Sequence, residues 1–279
     1  MMSLFRAPKI GLALGSGGGK GLAHIGVIKA LEAEGIPIHA IAGSSIGAIV
    51  GALYAVRRDI TSVERLALTT NWNHLAGLLD IGARSGGLLQ GKKLEYFLSS
   101  ALEVDTFEEL SMPLAAVATD MHSGEPHVFR SGSVIKALRA SAGVPLLFRP
   151  LETPEGWFSD GGLSLPVPVR VAHELGADVV IAVDLDADSC TYDKPIRSLL
   201  QMTDRTISLL SVHLAREQVI GADVHIKPRV GDLGWSAFLT TEGTRDAILR
   251  GEEAAQKHIE DIRRATTHPV LWHIRKVLG

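Results

Sequence analysis

Apolar runs of strand type alternate with helix-period stretches along nearly the whole chain. That is the pattern of helices packed on both faces of a mostly parallel sheet. Lys9 to Leu14 reads as the first strand and Gly21 to Glu34 as the helix after it, with Leu22, Ile25, Ile28 and Leu31 on its inner side until Gly35 stops it. A short second strand, Ala40 to Ala42, runs straight into Gly43-Ser44-Ser45-Ile46-Gly47 and a helix reaching about Val56. Residues 57–112 show no clear strand but do show helical segments at Trp72 to Leu79 and Leu94 to Leu102, separated by Ser85-Gly86-Gly87. Strand character returns at Leu114 to Thr119 and His127 to Phe129, and Ser133 is placed to cap a helix from Val134 to Ala140. A Pro-rich loop then brings Trp157-Phe158-Ser159 into Asp160-Gly161-Gly162. A helix to Leu175, a strand Val179 to Val183, a long helix near Leu199 to Ile220, a strand Val224 to Lys227 and a charged helix about Thr240 to Arg264 complete the order. The expectation is an α/β chain of three layers, α/β/α, over residues 1–279. It reads as one domain with its core at about 8–230, a helical insertion at about 57–112 and C-terminal helices at about 240–278.

Composition narrows the partners. A formal net charge of −3 supplies no basic field of the kind that draws a chain onto nucleic acid. The single cysteine, Cys190, cannot pair within the chain, and no Cys/His cluster has zinc-ligand spacing. A reducing compartment, the cytoplasm, and a site without metal or cofactor are therefore expected. The short apolar stretch Ile10 to Leu14 is broken at once by glycines, unlike a secretory signal. Ile41 to Val56 is uncharged but falls short of the roughly 20 apolar residues of a membrane span, so it reads as buried core. Asp184, Asp186 and Asp188 begin like a calcium loop, yet Ser189 and Pro195 stand where that loop needs glycine and glutamate. A solvated acidic loop is the expectation there. The tail from Val270 to Leu278 has the apolar spacing of an interfacial helix, which makes peripheral membrane contact one reading and docking on the protein's own surface the plainer one.

Three segments carry chemistry. Residues 43–47 have the form GxSxG between a strand and a helix. Flanking glycines there permit a strained turn that projects the hydroxyl of Ser45 at the end of the sheet, above a helix N-terminus. A buried Gly/Ser turn without chemistry matches the same five residues. Gly15-Ser16-Gly17-Gly18-Gly19-Lys20-Gly21 lies between the first strand and helix but fits neither a dinucleotide fingerprint nor a P-loop, since the required glycines and the Ser or Thr after lysine are missing. Unhindered N–H donors for an oxyanion hole remain, each worth about 2.7 to 4 kcal/mol of transition-state stabilisation. In Asp160-Gly161-Gly162 a carboxylate ends a β-type run at a turn, where a plain turn aspartate is the alternative. None of the eleven histidines has a context suited to a triad, and His24, nearest in sequence, is expected to pack or cap.

In the order glycine loop, GxSxG, DGG, the chain resembles the patatin-like phospholipases, in particular the bacterial branch similar to neuropathy target esterase. The resemblance spans roughly residues 8–230 and includes residues 14–21, Ala42 to Gly47, Ala118-Thr119-Asp120, Arg139-Ala140-Ser141 with Pro145, and Asp160 to Gly162. It implies the patatin-like fold, with Ser45 as nucleophile, Asp160 as its partner and Gly17, Gly18 and Gly19 as the oxyanion hole. It also implies hydrolysis of acyl esters in phospholipids or lysophospholipids without metal. Ser16 departs from the glycine that many relatives carry there. Acyltransferase or thioesterase chemistry, or a lipid-binding protein of negligible turnover, are the rival readings. Leu75, Leu78, Leu79, Leu88 and Leu89 make the insertion the expected acyl-chain wall.

Overall fold

The computed structural model describes residues 7–70, 89–187, 196, 199–233 and 238–267. The segment from Trp72 to Leu79, the break at Ser85-Gly86-Gly87, Cys190 and the tail from Val270 lie outside the described residues. The sheet contains β1 (Ile10–Leu14), β2 (Ala40–Ser44), β3 (Leu114–Asp120), β4 (Pro126–Phe129), β5 (Leu151–Thr153), β6 (Gly156–Asp160), β7 (Val179–Val183) and β8 (Val224–Ile226). Hydrogen-bonded neighbours follow the path β5-β6-β3-β2-β1-β7-β8, with β4 also paired to β3. The five strands β3, β2, β1, β7 and β8 are parallel, while β4, β5 and β6 add antiparallel ladders at one side, so the sheet is mixed.

Nine α-helices are seen among the described residues: α1 (Ala23–Ala33), α2 (Ile46–Arg57), α3 (Ile60–Thr69), α4 (Lys92–Leu102), α5 (Val134–Ser141), α6 (Val169–Glu174), α7 (Leu199–Gln218), α8 (Thr241–Gln256) and α9 (Ile259–Thr267). They form two layers because each parallel strand is apolar on both faces, as burial on both sides requires. Ile10, Leu12, Leu14, Ile41, Leu114 and Ile181 share one core with residues of α1, α2, α5 and α8. Ala13, Ala42, Ala115 and Ala182 face the other way and pack with Val169, Val171 and Ala172 of α6 and Ala215 of α7. Small side chains on that second face bring α6 and the turn after it close to the sheet: a Cβ on Gly11 would lie 3.6 Å from that of Ala172 and 2.5 Å from that of Ala177.

Three differences from the sequence reading have local causes. β5 falls in the Pro-rich loop, where three residues are too few to show alternation. It exists because it pairs with β6. The insertion begins with α3, capped by Asp59, whose carboxylate accepts from the N–H groups of Thr61 and Ser62. The charged C-terminal helix is two helices, α8 and α9.

Helix α1 is buried almost all round, since α8 covers the side that the sheet does not. The two helices cross at paired glycines: a Cβ on Gly26 would fall 1.8 Å from the Ile248 carbonyl oxygen, and one on Gly251 would fall 1.9 Å from that of Ala23. At an exposed helical site Gly→Ala stabilises by about 1 kcal/mol. Here Gly251→Ala forces the backbones apart and is expected to lower stability by about 1–3 kcal/mol. A thermal melt of the variant checks this, and an unchanged or raised Tm would contradict the close crossing.

Candidate active site

The register of β3 brings together two segments that are remote in sequence. β2 pairs with its first half, ending at Ser44 opposite Val117, and β6 pairs with its second half, ending at Asp160 opposite Ala118. β4 occupies the other edge of β3 from Ala116 to Thr119. β2 and β6 therefore lie along one edge and meet end to end at the step from Val117 to Ala118. At that junction the Ser45 hydroxyl donates to Asp160 Oδ2 at 2.6 Å, with both residues buried.

Ser45 sits between β2 and α2 with φ 56°, a left-handed backbone that a non-glycine residue keeps only where its surroundings enforce it. Enforcement comes from tight packing of the turn, for a Cβ on Gly47 would lie 2.3 Å from the Leu14 carbonyl oxygen. It also comes from Ser141, whose Oγ accepts the Ser45 N–H at 2.9 Å. Asp160 is fixed at every polar atom. Its Oδ1 accepts from the Gly162 N–H at 2.8 Å, its carbonyl accepts from the Thr119 hydroxyl at 2.8 Å, and its N–H donates to the Gly143 carbonyl at 3.1 Å. Burial pushes the Asp160 carboxyl up to about 6, against the opposing pull of the hydrogen bonds from Ser45 and Gly162.

The glycine loop is tethered around its rim. Gly15 N–H bonds the Val183 carbonyl at 3.0 Å, Ser16 N–H bonds that of Pro166 at 2.9 Å, and Lys20 N–H closes onto the Gly17 carbonyl at 3.3 Å. Gly18, at φ 56°, opens the short 3-10 turn that leads into α1. Among the described residues the N–H groups of Gly17, Gly18 and Gly19 meet no acceptor. Gly17 and Gly18 line a cavity with Ser16, Ser45 and Asp160, whereas Gly19 is buried and is not part of its lining. His24 does not reach Ser45: its Nε2–H donates to the Gly15 carbonyl at 2.8 Å, and burial lowers its pKa to about 4, so the ring is neutral near pH 7.

One expectation needs correction. The described part of the acidic loop after β7 is not solvated, because Asp184 and Asp186 are both buried; Asp188 lies outside the described residues. Asp186 ion-pairs with the buried Lys20 of the glycine loop and forms part of the cavity lining, and its N–H bonds Asp184 Oδ1 at 3.0 Å. Sequence reasoning missed this pair, and also the role of Ser141, since partners so far apart along the chain leave no local signal. Among the described residues the cavity's apolar lining comes from Val144 and Leu147 and from Ile207 of α7, and Leu89, of the expected acyl-chain wall, is not part of it. Leu89 stands one layer back, donating its N–H to the Leu147 carbonyl at 2.7 Å, and the other four leucines of that expectation lie outside the described residues.

The fold and the site together define a three-layer α/β protein whose serine, on a strand-turn-helix elbow, is hydrogen-bonded to a carboxylate beside free peptide donors. Comparison with known proteins narrows the class: a family model described as patatin-like phospholipase matches residues 12–173, and the chain belongs to that family. An uncharacterized NTE family protein of Mycobacterium bovis is 37% identical over 180 residues, 64% of this chain and 50% of that protein. Neuropathy target esterase sws of Drosophila melanogaster is 32% identical over 189 residues, 65% of this chain but 13% of the relative. The chain thus matches half the length of its mycobacterial relatives and a far smaller part of the animal one. Among solved structures, VipD from Legionella pneumophila superposes with a TM-score of 0.55 at 16% identity, covering 91% of this chain and 67% of VipD, a likeness of fold. No helix among the described residues is long and apolar enough to cross a membrane.

Burial of Asp160 has a consequence for stability. Its folded pKa of about 6 lies above the ordinary 3.8, so with rising pH the unfolded chain releases this proton first. The contribution is therefore present below 3.8 and is lost as pH rises through about 6. Above that window the buried charge destabilises the fold by something on the order of 3 kcal/mol. Asp160→Asn, which stays neutral, is expected to melt above the wild type at pH 8, with the gap closing in acid. A variant that melts lower throughout would contradict a strained buried carboxylate.

Proposed function

We propose that the chain is a serine acyl hydrolase that cleaves acyl esters of phospholipids or lysophospholipids, with Ser45 as nucleophile and Asp160 as its base. The observation that carries this reading is the 2.6 Å hydrogen bond from the Ser45 hydroxyl to a buried carboxylate at a cavity edged by unpaired glycine N–H groups. Membership of a phospholipase family and the esterase named among the relatives support the substrate class.

In the first step the Ser45 Oγ attacks the ester carbonyl carbon while its proton passes to Asp160 Oδ2. The carbonyl oxygen becomes an oxyanion, which the N–H groups of Gly17 and Gly18 face, with Gly19 behind them. Collapse expels the alcohol, which takes the proton from Asp160 and leaves an acyl-Ser45 ester. Water then gives a proton to Asp160 and attacks that ester; the second tetrahedral intermediate releases the fatty acid as the proton returns to Ser45. A carboxylate of ordinary pKa is a feeble base toward an alcohol. Desolvation raises Asp160 to about 6, which improves its basicity while leaving it mostly ionised at neutral pH. No step calls for a metal or cofactor.

An acyl-Ser45 could also pass to another alcohol, or be formed from a thioester; product analysis by mass spectrometry of lipid mixtures incubated with the wild type and with Ser45→Ala separates these outcomes. Ser45→Ala is expected to reduce turnover by several orders of magnitude without loss of fold, and a fluorophosphonate probe should label Ser45. Near-normal turnover by Ser45→Ala or Asp160→Asn would falsify the dyad. Because the base must be ionised, kcat/KM is expected to rise with pH around a midpoint of about 6. A profile flat across that midpoint removes Asp160 from the role.

A further inference from the structure

Helix α7 is amphipathic in the wrong sense for a helix that faces water. Its buried side presents Ser208, Ser211, Val212 and Ala215, and its outward side presents Met202, Leu209, Leu210 and Leu214. A surface helix ordinarily turns its large apolar residues to the core and its polar ones outward. Thr203, Ile207, Leu210 and Leu214 follow one another at spacings of four, three and four residues and so form a single stripe. The first two line the cavity that holds Ser45, and the last two continue the stripe into solvent.

A second apolar element stands beside the same cavity. Leu146 lies between Val144 and Leu147, two lining residues, and holds its side chain out with a left-handed backbone at φ 67°. For a bulky side chain that conformation is strained, and strain of this kind collects where a side chain is held in place for use. Leu146, Met202 and Leu210 are all large apolar residues on the surface, 51% exposed in each case. Among the described side chains, the exposed residues of α7 between Met202 and Leu214 are Thr206, Leu209, Leu210 and His213, with no carboxylate among them.

We infer that the outer face of α7 and the Leu146 tip are a docking surface for a lipid aggregate, from which the acyl ester enters the cavity directly. The identity of that ester rests on the hydrolase reading above, but the docking does not. The occupant follows from the geometry. The stripe that would be covered runs on into a wall of the cavity at Ile207 and Thr203, so a protein seated along its length would close the route to Ser45. A lipid surface covers the same side chains and itself supplies an acyl chain. With a net charge of −3, attraction comes from apolar burial, so docking needs no anionic lipid and resists salt.

The test uses phosphatidylcholine vesicles and the Ser45→Ala protein, which binds without turnover. Co-flotation at low and at high salt is expected, and Leu210→Glu or Leu214→Glu in that background should weaken partitioning by about tenfold each. Leu146→Gly separates docking from structure: glycine relaxes the left-handed backbone, so Tm should rise while partitioning falls. In the background that retains Ser45, all three substitutions should leave hydrolysis of a water-soluble short-chain ester unchanged and slow hydrolysis of vesicle lipid. Flotation unaffected by the substitutions overturns the inference, as does a lipid-free dimer that they dissociate, which would make a second copy the occupant. Should the wild type cleave no ester yet float through these leucines, docking stands and the hydrolase reading falls.

Discussion

The hydrogen bond between Ser45 and Asp160 joins the ends of two strands that never pair with each other. β3 holds both: Val117 and Ala118 are consecutive, and they set Ser44 and Asp160 side by side along one edge. A register slip of one residue in either ladder would move its chain end by a strand rise of about 3.3 Å. That is enough to break a 2.6 Å contact. The apolar packing of β3, buried from Leu114 to Thr119, thereby holds that contact in place. β4 adds to this by occupying the far edge, leaving β6 only the place beyond β2.

The glycine loop poses the opposite problem. Three successive glycines, Gly17 to Gly19, leave peptide N–H groups unhindered but bring no side chains with which to hold the loop still. Its order is imported. β7 accepts the Gly15 N–H, His24 clamps the Gly15 carbonyl from within α1, and Lys20 reaches the carboxylate of Asp186. A buried ion pair contributes little net stability, because desolvation of two charges offsets most of their attraction, yet removal of either partner strands the other. Its value here is geometric, since it fastens the far end of a loop made of glycine to the end of β7. The neutrality of His24 fits the same logic, for an imidazolium in that enclosed place would be one more uncompensated charge.

Much of this was legible locally, and what was not had a common reason. The strands β1, β3 and β7 announce themselves as apolar runs, and α2 follows Ser45 because the uncharged stretch to Val56 is too short to be anything but core. Ser45 could be singled out because its pentapeptide sits where a strand gives way to a helix, and Asp160 because an acidic residue ends a strand at two glycines. The Lys20–Asp186 pair spans 166 residues and the bond from Ser45 to Ser141 spans 96, so neither leaves a periodic or spacing signal. The acidic loop was misread for that reason: alternating aspartates look solvated until a lysine remote in sequence is seen paired with Asp186. Helix α7 is a different kind of failure. Its length was readable, but periodicity would turn Leu209, Leu210 and Leu214 inward, and only the packing shows Ser211 and Ala215 in that place.

Desolvation ties these parts together, since it is both what makes the site work and what opposes its formation. In the proposed mechanism Asp160 serves as a base because water is excluded from it, and the same exclusion destabilises its ionised form. A histidine would have been the easier base, with a pKa already near neutrality, but it would also need a carboxylate behind it to hold its tautomer. With the carboxylate hydrogen-bonded directly to Ser45, the proposed mechanism gives one buried group both tasks, and the remaining work shifts to rigidity. That rigidity is supplied far from the reacting atoms, by the glycine-mediated contact of α1 with α8 and by the alanine-lined seat of α6. On the cavity side α7 buries Ser208, Ser211, Val212 and Ala215 and leaves Leu209, Leu210 and Leu214 outside. Among the described residues the molecule is therefore tightly packed where Ser45 and Asp160 are held, and apolar but exposed on the outer face of α7, where the proposed docking would bring an acyl chain. An arrangement of this kind separates the demands of a fixed catalytic register from those of a water-insoluble substrate.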